Sequence, residues 1–486
     1  MVSLVRMARV AVAGMVATGL AAGPAHADPR QTTRSAPLPV SAPNSSVPDA
    51  KGPDAEGPGT QPVATPTVEG PVPGALPGSP SAPDVRDTYP WLATNIDLAA
   101  RGYVEQEFYL SGQADAYDTS GRLLAADVPY KTRIIVRRPA HQARFNGTVL
   151  AEWQNVTAGY DLDALWSADQ IMRAGYAWVG ISAQRVGVNQ LRGWSPARYG
   201  DLDVTGGGRF AADELSYDIY SQAAKALRAR GGHAPLHRLK VDTVLAIGAS
   251  QSAGRMTVYY DAVLPQIESV FDGFANIVGG APTRAGTEPV FQVLSETDVR
   301  SPARPADTDR FRRWEVAGAA HSGWAGQEYR RPLLTRDLGA APTYNCDQPP
   351  YSRVPLTHVL AAAYDHLTRW AERGTPPPAA PPLEFNPDGT KARDELGLAR
   401  GGIRVSQVAA PTALNTGDNS GEGFCRLFGT HLPFDQTRLR TLYRTESRYV
   451  AAVAKADATN LRKGYLLPGD AAQNLKDALT VDFSPR

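Results

Sequence analysis

Ser250 sits in the run Gly248-Ala249-Ser250-Gln251-Ser252-Ala253-Gly254, directly behind the apolar stretch Val244-Leu245-Ala246-Ile247. An apolar strand followed by small residues around one serine is the pattern of a sharp strand-to-helix turn. Such a turn pushes a hydroxyl out at the carboxyl end of a sheet, and its neighbours are small because there is no room for bulk. Ser252 stands where a glycine is usual, so the pattern reads G-x-S-x-S; a register with Ser252 as nucleophile and Gly254 behind it lengthens the turn and ranks second. A serine hydroxyl is a weak nucleophile at neutral pH. It needs an imidazole to take its proton and a carboxylate to orient that imidazole. Both follow in the chain. A strand-like stretch over 290–294 runs into Ser295-Glu296-Thr297-Asp298, and another over 312–316 runs towards Gly318-Ala319-Ala320-His321. Asp298, on the first tight turn after its strand, is the expected acid, and Glu296 is the alternative. His321 stands on a post-strand loop among small residues, whereas His358 and His366 fall inside a helical pattern. A serine capping a helix and carboxylates closing turns would use the same residue types. The three together, in this order, point to acyl-transfer chemistry.

The tetrahedral intermediate of such chemistry needs N–H donors aimed at its oxyanion. The backbone N–H of Gln251 is one candidate. The loop Gln154-Asn155-Val156-Thr157-Ala158-Gly159 offers a second, with Asn155 and Val156 as the candidates. Trp153, Trp194 and Trp324 are candidate rim residues around the substrate. The segment 184–213 is too long for a minimal connection and reads as a rim or lid. Its Gly206-Gly207-Gly208 run is not a phosphate cradle, because no G-x-x-x-x-G-K-[ST] pattern accompanies it.

These side chains must be positioned by a sheet. Eight strand-like segments are readable, over 103–110, 132–138, 148–153, 176–182, 242–247, 271–277, 290–294 and 312–316. The first two are half-exposed and suggest an antiparallel ribbon, and the rest are the denser apolar runs of strands buried on both faces. Helical patterns over 162–174, 216–230 and 253–264 lie between them. The alternation predicts a three-layer α/β sandwich, with a mostly parallel eight-stranded sheet and helices on both faces. Beyond His321 the chain carries helical patterns over 354–372 and 439–458 with a Pro- and Gly-rich stretch between. The region from about 330 to 486 reads as a long C-terminal appendage laid over the core.

The 486 residues carry a net charge of +1, with 42% hydrophobic and 20% charged residues. There is no basic surplus of the kind that binds nucleic acid. Arg6 and Arg9 precede an apolar stretch over 10–22 that ends in Ala25-His26-Ala27, which predicts a signal peptide over 1–27 and an extracellular protein. No later stretch reaches the ~20 apolar residues of a membrane span. Residues 28–86, dominated by Pro, Ala, Gly, Ser and Asp, read as a disordered linker, with order from 87 to 486. Cys346 and Cys425 are the only cysteines, and in an exported chain they are expected to form one disulfide. No Cys/His spacing resembles a zinc site, so no metal is expected. The sequence carries no signature of an oligomeric state.

Several runs carry a resemblance: Glu152-Trp153-Gln154-Asn155-Val156-Thr157, Trp178-Val179-Gly180-Ile181-Ser182-Ala183-Gln184-Arg185-Val186-Gly187, the Ser250 turn, Ser295-Glu296-Thr297-Asp298, Trp314-Glu315-Val316-Ala317-Gly318, Cys425-Arg426-Leu427-Phe428-Gly429-Thr430 and Leu466-Leu467-Pro468-Gly469-Asp470. Together, over nearly all of the ordered chain, they resemble the bacterial alpha/beta hydrolase domain-containing protein family, and the order Ser, acid, His is that of α/β-hydrolases. The resemblance implies an α/β-hydrolase fold, hydrolase activity and no metal or organic cofactor. It carries Ser250, His321 and Asp298 or Glu296 into a triad. The expectation is a secreted serine hydrolase that cleaves small-molecule or polymer-borne carboxylic esters through an acyl-enzyme. An acyltransferase using the same residues, and a non-catalytic extracellular binding module on the same scaffold, are the alternatives.

Overall fold

Alternation along the central strands decides the architecture. Val149, Ala151 and Trp153 enter one apolar cluster while Leu150 between them enters a second; Val244 and Ala246 take the first side, Leu245, Ile247 and Ala249 the other. A strand with both faces buried must be covered by helices on both sides. The computed structural model describes residues 60–74, 86–231 and 234–482 and has this arrangement.

The sheet contains β1 (Thr67–Glu69), β2 (Tyr103–Tyr117), β3 (Leu123–Pro139), β4 (Thr148–Trp153), β5 (Ala177–Ile181), β6 (Thr243–Ala249), β7 (Gly273–Ile277), β8 (Val290–Ser295) and β9 (Phe311–Val316), in the order β1-β2-β3-β5-β4-β6-β7-β8-β9. β1, β2, β3 and β5 pair antiparallel in turn, and from β5 to β9 every pairing is parallel. After β4 the chain steps outward to β5 and then returns to the other side of β4 to form β6. Loops leaving the carboxyl ends of β4 and β6 therefore diverge and leave a crevice, the usual place for a ligand in an open α/β sheet.

Helices α1 (Ala168–Ala174), α2 (Arg185–Trp194), α3 (Pro196–Tyr199), α4 (Ser216–Leu227), α5 (Gln251–Val258), α6 (Trp324–Leu338) and α7 (Leu356–Arg373) follow in chain order. α2, α4 and α5 send Val188, Leu191, Tyr220, Ala223 and Met256 into the first cluster. α1 and α7 send Ile171, Met172, Val359, Ala362 and Leu367 into the second. Among the described residues no helix is long and apolar enough to cross a membrane.

The sheet has nine strands, not eight. The extra one, β1, lies inside the segment read as linker: Thr67, Val68 and Glu69 pair with Ser111, Leu110 and Tyr109, Gln61 bridges to Ile267, and Val63 N donates to Glu268 Oε1 at 3.0 Å. An edge strand needs hydrogen bonds on one side only, so three residues with a β-branched pair suffice among prolines. The rest of that linker, over 28–59 and 75–85, and the signal peptide lie outside the described residues. The helix read over 439–458 is two, because Arg444 takes φ 66° and Thr445 caps a new start by accepting from Arg448 N. They are preceded by α8 (Ser406–Ala409) and run as α9 (Gln436–Tyr443) and α10 (Glu446–Lys463), before α11 (Pro468–Ala478). The appendage is not all outer layer either: α7 is buried against the sheet as one of its covering helices. Only from about residue 406 do α8 to α11, with the hairpin β10 (Ala413–Thr416) and β11 (Thr430–Pro433), gather a small cluster of their own around Ala410, Leu439, Tyr449 and Val453.

Candidate functional site

Ser250 joins β6 to α5 with φ 58° and ψ −114°, a strained conformation for a residue with a Cβ. Neighbours on both sides hold it there. Ser250 N donates to Ile277 O of β7 at 2.9 Å, and Ser250 O accepts from Gly254 N at 3.1 Å. A Cβ on Gly248 would come within 2.5 Å of Met256 Sδ, and one on Gly279 within 2.6 Å of Ala253 Cβ. Glycine at those two places is what lets α5 fold back tightly against the sheet. Ser252 is fully buried and closes the turn, its Oγ accepting from Ala249 N at 3.0 Å and bonded to Ala249 O at 2.9 Å. Its hydroxyl is engaged inside the turn, whereas Ser250 lines a cavity of about 610 Å³.

His321 lines the same cavity. Its Nδ1 lies 2.7 Å from Asp298 Oδ1, and Asp298 Oδ2 accepts from Ser295 Oγ at 2.6 Å. The two loops are fastened together, since Thr297 Oγ1 accepts from His321 N at 3.2 Å and donates to Gly417 O at 2.6 Å. With Nδ1 occupied by the carboxylate, the ring's Nε2 is left for other chemistry. Glu296, the alternative acid, is fully buried and engaged elsewhere: Oε2 accepts from Gly318 N at 2.6 Å and Oε1 from Arg393 Nη2 at 2.8 Å. It clamps the backbone of the loop that carries His321. His358 also reaches the cavity wall, but its Nε2 faces Asp470 at 3.9 Å. His431 Nδ1 lies 2.9 Å from Asn415 Oδ1, and burial pushes its pKa down to about 4.

Asn155 ties the loop after β4 to the Ser250 turn. Its Nδ2 donates to Ala249 O at 2.9 Å, its Oδ1 accepts from Thr157 N at 2.9 Å, and its backbone O accepts from Leu162 N at 3.0 Å. Asn155, Thr157 and Ala158 line the cavity, and Val156 is buried beside them. Gln251 opens α5, so its N–H has no carbonyl one turn behind it, while its side chain is bonded to Gln184. Further along, the loop is anchored from below by a belt of buried charge. Arg137 binds Glu105 Oε2 at 2.7 Å and Asp163 Oδ2 at 2.8 Å, with its guanidinium 4.7 Å from the ring centroids of both Trp166 and Trp178. Arg133 binds Glu107 Oε1 at 2.9 Å, with Asp161 at 3.8 Å. Charges two residues apart on facing strands, with Glu105 directly opposite Arg137, were the available signal for this belt.

The sequence model of a family described as an alpha/beta hydrolase domain matches residues 68–476. The chain belongs to that family. No curated protein matches the chain in sequence. Among solved structures, it is similar to the esterase Est22 at 10% identity, over 40% of this chain and 64% of that one, with a TM-score of 0.25. It is similar to a prolyl endopeptidase at 12% identity over 50% and 39%, with a TM-score of 0.28. It is similar to LipA, a rice cell wall degrading esterase from Xanthomonas oryzae, at 15% identity over 36% and 42%, with a TM-score of 0.20. The chain thus spans less than two thirds of the length of each of these structures.

In this α/β-hydrolase family member the cavity wall comes from unexpected places. Trp324 lines it. Trp153 does not: as the third inward residue of β4 it is fully buried against Tyr217 and Tyr220. Trp194 packs against Tyr89 and Trp91 in the first cluster, and the segment 184–213 folds down as α2 and α3 instead of arching over the site as a lid. The wall is supplied by α6, the start of α7, and two segments that the Cys346–Cys425 disulfide joins across 79 residues. These segments bring Tyr344, Tyr351 and Phe428 together, with ring centroids 5.0 and 4.7 Å apart.

Proposed function

We propose that the protein is a secreted serine hydrolase that cleaves carboxylic esters through an acyl-enzyme intermediate. Ser250 Oγ attacks the ester carbonyl as His321 Nε2 takes its proton. The alcohol leaves with that proton, and a water then attacks the acyl-enzyme with His321 as base. Asp298 fixes the tautomer in which Nε2 is the acceptor and stabilises the imidazolium. The N–H of Gln251 and a donor from the loop around Asn155 and Val156 face the oxyanion. The observation that carries this reading is the 2.7 Å contact of His321 Nδ1 with Asp298 Oδ1 at the wall of the cavity that Ser250 also lines. Export is supported by the leader-like start of the chain and by the disulfide.

The test is covalent labelling. A fluorophosphonate probe is expected to modify the peptide that carries Ser250. Ser250→Ala is expected to lose both the label and at least ~10³-fold in turnover of 4-nitrophenyl acetate, with its melting midpoint retained. Labelling elsewhere, or turnover that survives the substitution, overturns the assignment; a native protein that takes no label is the binding module instead.

A further inference from the structure

Arg330, on α6, lines the cavity and is only 7% exposed. The other arginines buried to this degree have partners in the chain. Arg133 and Arg198 are bound to Glu107, Arg137 to Glu105 and Asp163, Arg138 to Gln106, and Arg313 to Glu315. Its helix neighbours are also paired, Arg331 with Glu328 and Arg336 with Asp337. Among the described residues, the guanidinium of Arg330 has neither a carboxylate within ion-pair distance nor a hydrogen-bond acceptor. A guanidinium sheltered by the protein, open to a cavity and without a counter-ion in the chain is available to an anionic occupant of that cavity.

Its placement says where that occupant would lie. A Cβ on Gly326 would come within 3.0 Å of Arg330 Nη2, so the guanidinium folds back along α6 over a residue with no side chain. That points it towards the first turn of the helix, which opens at Trp324 just after His321. Tyr160, on the loop after β4, lines the same cavity. The lining residues include Arg330, Arg331 and Arg353 against a single carboxylate, Asp477, which accepts from Gln473 Nε2 at 2.7 Å. Leu162, Leu165 and Leu334 give the same cavity apolar wall.

We infer that the substrate ester carries a carboxylate, seated in the fork of the Arg330 guanidinium, with an apolar body reaching from it to the carbonyl that Ser250 attacks. The inference rests on the serine hydrolase reading. A planar guanidinium meets a carboxylate through two parallel hydrogen bonds, which supplies orientation as well as attraction. The carboxylate can belong to the acyl side, as in a hemiester of a dicarboxylic acid, or to the alcohol side. In either case hydrolysis adds water across the acyl–oxygen bond and leaves the second carboxylate untouched.

The experiment compares kcat/KM for mono-4-nitrophenyl esters of glutaric and suberic acid, and for 4-acetoxyphenylacetate, with the methyl ester of each. The native enzyme is expected to favour one charged series at least ~10-fold over its neutral partner, mainly through KM; which series responds tells the acyl side from the alcohol side. Arg330→Met, which keeps the aliphatic stem, is expected to bring that ratio to about one, with Arg330→Lys between. Free suberate is expected to inhibit the native enzyme competitively, and this holds as a readout even if Arg330→Met does not fold. A native enzyme indifferent to the charge, or a ratio unaltered in Arg330→Met, overturns the inference. If Ser250 still labels and the neutral esters still turn over in that case, only the carboxylate falls; if Ser250 does not label, the reading beneath it falls as well.

Discussion

At the ribbon side of the sheet, Arg133 and Arg137 are buried with the acceptors Glu105, Glu107 and Asp163 around them, and Tyr199 and Arg198 donate to Glu107 in turn. At the β6 to β9 side the polar groups are less withdrawn, His321 and Asp298 being 12% and 11% exposed, and they are left incomplete. Asp298 holds one edge of His321 and leaves the other open, Ser250 is strained and faces a cavity, and Arg330 has no partner in the described chain. Both regions draw arginine and aspartate into the protein, the ribbon side more deeply. What separates them is whether each cation meets a carboxylate of the chain itself, which Arg133 and Arg137 do even though Asp161 Oδ1 and Asp163 Oδ1 are left without a hydrogen bond. A network of ion pairs within the chain fixes structure, and here it fixes the loop that carries Asn155, through Asp161 and Asp163. A group left without such a partner is available to a ligand.

The sharpest way to break this contrast lies within one turn of chain. Asp298→Asn is expected to lower kcat by about 10³- to 10⁴-fold, since an amide holds the imidazole in the wrong tautomer, with little change in the urea midpoint. Glu296→Gln, two residues away, is expected to do the reverse: a loss of about 1–3 kcal/mol in stability from weakened bonds to Gly318 N and Arg393, and a kcat within a few-fold of native. Steady-state kinetics and urea titration on both variants decide it. Interchanged results would make Glu296 the acid.

On the ribbon side, Glu107→Ala leaves Arg133 and Arg198 buried without their shared carboxylate and is expected to cost about 3–5 kcal/mol of stability. The folded fraction is expected to keep native kcat. A loss under ~1 kcal/mol in urea unfolding would mean that water enters the belt, and that it is no more sealed than the cavity.

What the sequence discloses follows the same division. Ser250, Asp298 and His321 are singled out by sequence because each follows an apolar strand, at the end of the sheet where the loops part. The parallel strands are readable from their apolar runs. Trp153 was misplaced although its period was visible: counted by twos from Val149 and Ala151, it belongs in the core. β1 is three residues among prolines, too short for any period to register. The walls of the cavity come from segments far apart in the chain and joined by a disulfide, so their convergence is a tertiary fact. Arg330 has no motif at all, and Pro332 inside α6 is a residue that argues against a helix in sequence, although the helix runs on through it.

The smallest effect belongs to Glu152, where the two regions meet. It lies on β4, fully buried beneath the loop after that strand, accepting from Trp178 Nε1 at 2.8 Å and from Leu165 N at 3.1 Å. Burial, with the Asp163 charge added, pushes its pKa up to about 8 from the usual 4.5. The folded state therefore holds this proton over a range in which the unfolded chain has released it. The stability it confers is complete below the unfolded value and is lost as pH rises towards 8. Asp218, raised to about 6 by burial, acts in the same sense but is finished by then, and the buried His358, His366 and His431, all lowered, act only as pH falls below their ordinary value of 6.5. Between pH 6.5 and 8, urea unfolding is expected to show stability falling with a slope of at most ~1.4 kcal/mol per pH unit, and Glu152→Gln is expected to flatten it. A slope that persists in the variant would remove Glu152 as its source. A slope absent from the native protein would mean that Glu152 is ionised where it stands, and that the floor under the Asn155 loop is as open to water as the cavity above it.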